Sequence, residues 1–126
     1  MIIGTGIDFV DVSRIAHWLD EEALCLRYFH PAELAAVRSR GADAPRSLAA
    51  RFAVKEAFAK ALGTGFAGLR LRDIRVENEK SGRPRLLLEG SASAAMRRSG
   101  ARRSHLSIAH EGSFAAAQVI LEATDG

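Results

Sequence analysis

One cysteine, one tryptophan, one tyrosine, three prolines and three lysines in 126 residues leave this sequence short of several residue types that announce a function. The lone Cys25 excludes an intrachain disulfide and a cysteine cluster for zinc, and such sparing use points to a reducing compartment. Set in "LCL", it reads as a small buried hydrophobe and not as a reactive thiol. Proline and glycine are too few for a disordered tract. No apolar run approaches the ~20 residues of a membrane span. The opening "MIIGTGID" lacks the basic start of a signal peptide, so the expected location is the cytoplasm.

What is present suits one soluble α+β domain spanning residues 1–126: 48% of the chain is hydrophobic and 26% charged. A chain of this length buries roughly two thirds of its unfolded surface, enough for a real core. The 18 basic residues are 15 arginines and three lysines, for a net charge of +3. The planar guanidinium fork suits phosphates and carboxylates. GC-rich coding accounts for most of these positions equally well.

The sequence has no internal repeat and no linker that divides it. "IIGTGIDFV" places Ile3, Thr5, Ile7 and Phe9 on one face of a strand and Gly4, Gly6, Asp8 and Val10 on the other. Ser13 is placed to cap a helix running to about Tyr28, with Ile15, Trp18, Leu19 and Leu26 apolar. "HPAELAAVRSR" begins a second helix with Pro31 in its first turn, and "GADAP" separates it from a third. Two strands flank a turn at Ser81 to Arg83. "SASAAMRRSG" is a short helix closed by Gly100, and a final hairpin folds across "EGS". Helices and antiparallel strands without βαβ alternation define the α+β class.

The third helix carries the chemistry. In "RFAVKEAFAKALGTGFAG", Val54, Ala57, Phe58, Ala61 and Leu62 fill one face at about 100° per residue. Glu56 and Lys60 stand one turn apart on the other side, beside Phe52 and small alanines. On the helix alone, an exposed i,i+4 ion pair explains them as well as a site does. "GTGFAG" offers backbone N–H groups to a phosphate, although Gly63 is also where an ordinary helix cap falls. Asp8 lies mid-strand between Ile7 and Phe9, where a carboxylate needs a partner or a cation. Two carboxylates with few other ligands suit Mg²⁺, which keeps its waters and takes phosphate oxygens.

"GIDFVDVSRI", "RFAVKEAFAKALGTG", "SGRPRL" and "HLSIAH" stand in the order and spacing of the holo-[acyl-carrier-protein] synthases, small bacterial 4′-phosphopantetheinyl transferases. The chain resembles that family from Ile2 to about Glu122. The resemblance implies the 4′-phosphopantetheinyl transferase fold, an antiparallel sheet packed with helices. It also implies Mg²⁺-dependent transfer of the phosphopantetheine arm of coenzyme A to a serine of an acyl carrier protein. Adenosine 3′,5′-bisphosphate would be the second product, and fatty-acid or polyketide synthesis the use of the first. A homotrimer with active sites between subunits is implied too.

By position, the resemblance makes Asp8 and Glu56 metal ligands and Lys60 a diphosphate contact. It gives Arg51 and His105 to the coenzyme A phosphates, Gly63 and Gly65 to the phosphate loop, and Gly82 and Pro84 to the adenine end. His110 joins Glu56 and Lys60 as a catalytic candidate, with Glu111 beside it, while His17 and His30 are left to structure or surface. The first helix would meet the acidic carrier protein through Arg14, Ile15, Trp18 and Arg27. Two features depart from the family's pattern: the acidic run Asp20 to Glu22 within that helix, and Ala109 where a hydroxyl residue is common. The rival reading is an arginine-rich nucleic-acid-binding module, carried by "RRSGARR" (Arg97 to Arg103) and a pI of about 9.6. One Trp and one Tyr are a poor supply of stacking platforms for it.

Overall fold

Glycine and alanine let a helix lie directly on the sheet. In the computed structural model, which describes residues 1–124, β1 (Ile2–Asp11), β5 (Phe114–Glu122) and β4 (Arg103–Glu111) form an antiparallel sheet in the order β1-β5-β4. The long helix α4 (Ala44–Leu62) crosses its inner face. A Cβ on Gly4 would stand 1.9 Å from the Ala61 carbonyl oxygen, and one on Gly6 would stand 1.9 Å from that of Ala57. The backbone of α4 therefore closes the glycine face of β1. Ala53, Ala57, Ala61, Ala115 and Ala117 are buried in one core cluster with Val54, Phe58, Val119 and Leu121. Small residues bring helix and strands close enough to hold site residues in one rigid frame.

The first helix is not continuous. The Asp11 carboxylate accepts from the Ser13 backbone N–H (3.0 Å) and hydroxyl (2.8 Å), so Asp11 and not Ser13 is the cap. Helix α1 (Val12–Ile15) passes into a 3₁₀ turn (Ala16–Asp20), and α2 (Glu22–Tyr28) begins after Glu21. The α-helix therefore ends at Ile15, ahead of the acidic run, while Glu22 lies in the first turn of α2, where a carboxylate favours the helix dipole.

Helix α3 (Pro31–Arg38) carries Pro31 in its first turn, and α4 starts with Pro45 in its own. Strands β2 (Ile74–Asn78) and β3 (Pro84–Leu88) form a separate hairpin, and α5 (Gly90–Ser99) ends at left-handed Gly100. Within the core, Lys55 of α4 and Glu33 of α3 make an ion pair of 2.8 Å with both side chains fully buried.

Candidate active site

Strand alternation aims Asp8 inward at the β1 edge of the sheet, where its side chain is 13% exposed. The Lys60 ammonium donates to Asp8 Oδ1 (2.7 Å) and to the Ile7 carbonyl (3.1 Å). That bond to Asp8 raises the Lys60 pKa and secures its charge. Glu56, one turn earlier on α4, faces the same carboxylate. Burial, then the charge of Asp8 and a hydrogen bond with it, push the Glu56 carboxyl up to about 7, against the pull of Lys60 and Arg14. Two carboxyl groups sharing so small a space resist double ionisation unless a cation joins them.

The donor set fits Mg²⁺. Both candidate ligands are carboxylates, and among the described residues no cluster of three or more His, Cys, Asp or Glu stands ready to enclose an ion. A hard ion held by one or two carboxylates completes its shell with water and phosphate oxygens.

The second feature is a cleft of about 620 Å³. One wall is α4, with Arg46, Ser47 and Arg51; the other is the β2–β3 hairpin, with Asn78, Gly82, Arg83 and Pro84. Arg40 and Asp43 approach from the turn before α4, and His110 from β4. Arg51 is 5% exposed, donates to the Ser47 hydroxyl and to Asn78 Oδ1 (3.4 Å), and has a buried Nε without a partner among the described residues. A buried guanidinium nitrogen with nothing to bond is a donor that an anion in the cleft could satisfy. Burial, then Arg46, hold the His110 imidazole below its ordinary pKa.

The two features lie apart. Arg51 is about 140° around α4 from Glu56 and about 180° from Lys60. The carboxylates belong to the β1 edge and the cleft to the β4 edge of the three-stranded sheet. His110 thus joins Arg51, Gly82 and Pro84 but not the Glu56 and Lys60 of its own chain. His105 joins neither group. It projects from the outer face of β4, with Nε2 3.0 Å from Glu122 Oε1.

Other expectations shift as well. Gly63 and Gly65 both have positive φ, but the Gly63 N–H is spent on the Lys60 carbonyl (3.0 Å), which makes Gly63 the cap of α4. Ile15 is 3% exposed and belongs to the core, which leaves little of it for a carrier protein to touch. Trp18 is half-buried against Phe52 (5.2 Å between ring centroids) and Tyr28 (5.7 Å). Arg14 and Arg27 are exposed. The acidic run is partly engaged, with Glu22 3.2 Å from Arg38 and Glu21 3.6 Å from His17. His30 caps α3 by accepting from the Ala32 N–H at 3.0 Å. The sequence reading missed Arg40, Arg46 and Arg83; their clustering beside the "GADAP" break and the "SGRP" turn was the available signal.

Residues 4–119 match the family model of the 4′-phosphopantetheinyl transferase superfamily. The holo-[acyl-carrier-protein] synthase of Treponema denticola is 52% identical over 122 residues, covering 97% of this chain and 99% of that protein. The crystal structure of the holo-[acyl-carrier-protein] synthase from Neisseria meningitidis superposes with a TM-score of 0.86 at 34% identity, covering 97% of this chain and 99% of that one. That of the Bacillus anthracis enzyme, in complex with CoA (3′,5′-ADP), gives 0.81 at 35% identity, over 98% and 99%. With the fold and near-complete coverage in agreement, the chain belongs to the 4′-phosphopantetheinyl transferase superfamily, among its holo-[acyl-carrier-protein] synthases.

Proposed function

We propose that this phosphopantetheinyl transferase moves the 4′-phosphopantetheine arm of coenzyme A to a serine of apo acyl carrier protein in a Mg²⁺-dependent reaction. The observation that carries the reading is the Glu56 carboxyl, pushed up beside Asp8, with Lys60 alongside. The serine hydroxyl oxygen releases its proton to solvent as it bonds to the phosphorus that bears the pantetheine. The bond from that phosphorus to the bridging oxygen breaks, and adenosine 3′,5′-bisphosphate leaves with the bridging electrons. Such transfers need charge neutralisation and alignment more than covalent catalysis. Held by Asp8 and Glu56, Mg²⁺ would neutralise diphosphate charge. Lys60 meets the charge that grows on the leaving group. The arginine-walled cleft suits the adenosine bisphosphate end, with Arg51 for a phosphate and Gly82 and Pro84 at the base.

A trimer explains why the halves of the site stand on opposite sheet edges. Head-to-tail contact sets one subunit's carboxylates beside its neighbour's cleft, and such heterologous contacts close into rings. Ile7 (53% exposed), Phe9 (62%) and Phe114 (48%) stand on the outer sheet face, an apolar surface that an assembly would cover. The same closure would set His110, in the cleft of one subunit, beside the Glu56 and Lys60 of the next, and His105, on the outer face, remains a proposed phosphate contact. The remaining assignments are the cytoplasm as location and a carrier protein of fatty-acid or polyketide synthesis as partner. No helix of the described residues is long and apolar enough to cross a membrane.

Incubation with coenzyme A, Mg²⁺ and an apo carrier protein tests the reading by mass spectrometry. A phosphopantetheine mass gain on the carrier serine, absent with EDTA, is the expected result. An unmodified carrier protein, or a gain indifferent to EDTA, contradicts it.

A further inference from the structure

A buried ion pair takes the place of a strand beside β2. Among the described residues that strand pairs only with β3, so its other edge offers main-chain groups that no described strand satisfies. Alternate residues of an antiparallel strand direct these groups to opposite edges. On the free edge, the Val76 N–H donates to Glu33 Oε2 (3.0 Å), and the Ile74 carbonyl accepts from the Lys55 ammonium. Glu33 Oε1 accepts from Lys55 (2.8 Å) and from the His30 N–H (3.1 Å), and Lys55 also donates to the Leu71 carbonyl (3.0 Å). The ammonium lies 5.1 Å from the Phe29 ring centroid. Every charge is matched, yet apolar residues of equal volume commonly stabilise such a position as well. What the pair adds is a fixed spacing.

That spacing reaches the cleft. Arg51 precedes Lys55 by one turn of α4, and Asn78 follows Val76 by two residues of β2. Arg51 donates to Asn78, and Asn78 Nδ2 donates to the Gly82 carbonyl (3.1 Å) at the hairpin turn. The ion pair and the Arg51–Asn78 contact therefore tie the hairpin wall to the α4 wall at two levels. We propose that Glu33 and Lys55 are positioning residues that set the distance between these walls, and so the affinity for the nucleotide portion of coenzyme A. The inference rests on reading the cleft as the nucleotide site. Neither side chain touches the substrate in this account; both act through Val76 and Asn78.

The double variant Glu33→Gln/Lys55→Met removes both charges together and leaves neither buried alone. Calorimetry would measure its affinity for adenosine 3′,5′-bisphosphate, steady-state kinetics its KM for coenzyme A and kcat, and hydrogen exchange the Val76 amide. The expected variant is folded, with Kd and KM raised about tenfold, kcat within about twofold, and faster exchange at Val76. A folded variant with unchanged Kd and KM overturns the inference, even if its Tm falls. Should the variant not fold, wild-type exchange decides. Adenosine 3′,5′-bisphosphate slows the Val76 amide if the edge and cleft are coupled, and an unchanged rate overturns the coupling. Wild-type protein that does not bind this nucleotide overturns the cleft reading and this inference with it. Wild-type binding with an indifferent variant overturns this inference alone.

Discussion

Glu56 holds the most informative charge in the molecule. Its carboxyl is raised from 4.5 to about 7, so it destabilises the metal-free fold when ionised. A raised folded-state pKa contributes stability that is complete below the unfolded value and is lost as pH rises through the folded one. Metal-free protein should therefore lose stability between about pH 4.5 and about 7, and Glu56→Gln should remove that loss. Because the group is half open to water, the difference should be only about 1 kcal/mol. Mg²⁺ binds the ionised form and should restore stability most at high pH, with weaker binding as pH falls below 7. Thermal unfolding across pH, with EDTA or Mg²⁺, checks this. A wild-type profile parallel to that of Glu56→Gln contradicts the shared-carboxylate geometry.

Lys60 makes a separate prediction at the same scale. A cation beside the leaving group matters most as charge develops, so Lys60→Ala should lower kcat by about 10²–10³ and change KM for coenzyme A little. A loss confined to KM makes it a binding residue. Asp8, Glu56 and Lys60 were legible in the sequence because strand alternation and helical spacing fix their faces locally. Lys55 was not. It stands on the buried side of α4, and the Glu33 that justifies its charge is 22 residues away.

At the scale of elements, β1 and α4 act as one unit because glycine admits the helix. A methyl group on Gly6 would meet the Ala57 carbonyl oxygen at 1.9 Å, and helix backbone cannot yield as a side chain can. Gly6→Ala should cost about 3 kcal/mol or more and separate Glu56 and Lys60 from Asp8, lowering both Tm and transfer. A Tm within a degree of wild type contradicts the packing. Glycines at alternate positions of the strand signalled a close approach, but not the partner that makes it.

Helix α1 carries the carrier-protein prediction. Arg14 is exposed and its charge reaches Glu56, which places it near the mouth of the site. Arg14→Glu should raise KM for carrier protein about tenfold or more and leave that for coenzyme A nearly unchanged. Equal changes in both place Arg14 at the nucleotide instead. The break between α1 and α2 was hidden because the apolar spacing continues through it. The α-helix stops at Ile15, ahead of the three acids, and of these only Glu22 falls in the first turn of α2.

For the whole molecule, the α+β class and nearly every element were readable from alternation, caps and turns. The cleft was not, because its walls come from α4, the β2–β3 hairpin and β4, which only the fold brings together. Membership of the transferase superfamily also displaces the nucleic-acid reading, and the arginines that line the cleft are Arg40, Arg46, Arg51 and Arg83, not the Arg97 to Arg103 run that carried it. The account's central claim is that a complete site takes its carboxylates from one subunit and its arginine cleft from the next.

Mixing two inactive variants tests that claim directly. Asp8→Ala spoils one half of the site and Arg51→Ala the other, so each homotrimer should be inactive in carrier-protein modification. Equal amounts, unfolded together and refolded, should form mixed trimers in which about a quarter of the sites pair an intact Asp8 with an intact neighbouring Arg51. The account predicts recovery of about a quarter of wild-type activity on that basis. A mixture as inactive as its components would place both halves in one chain and contradict it.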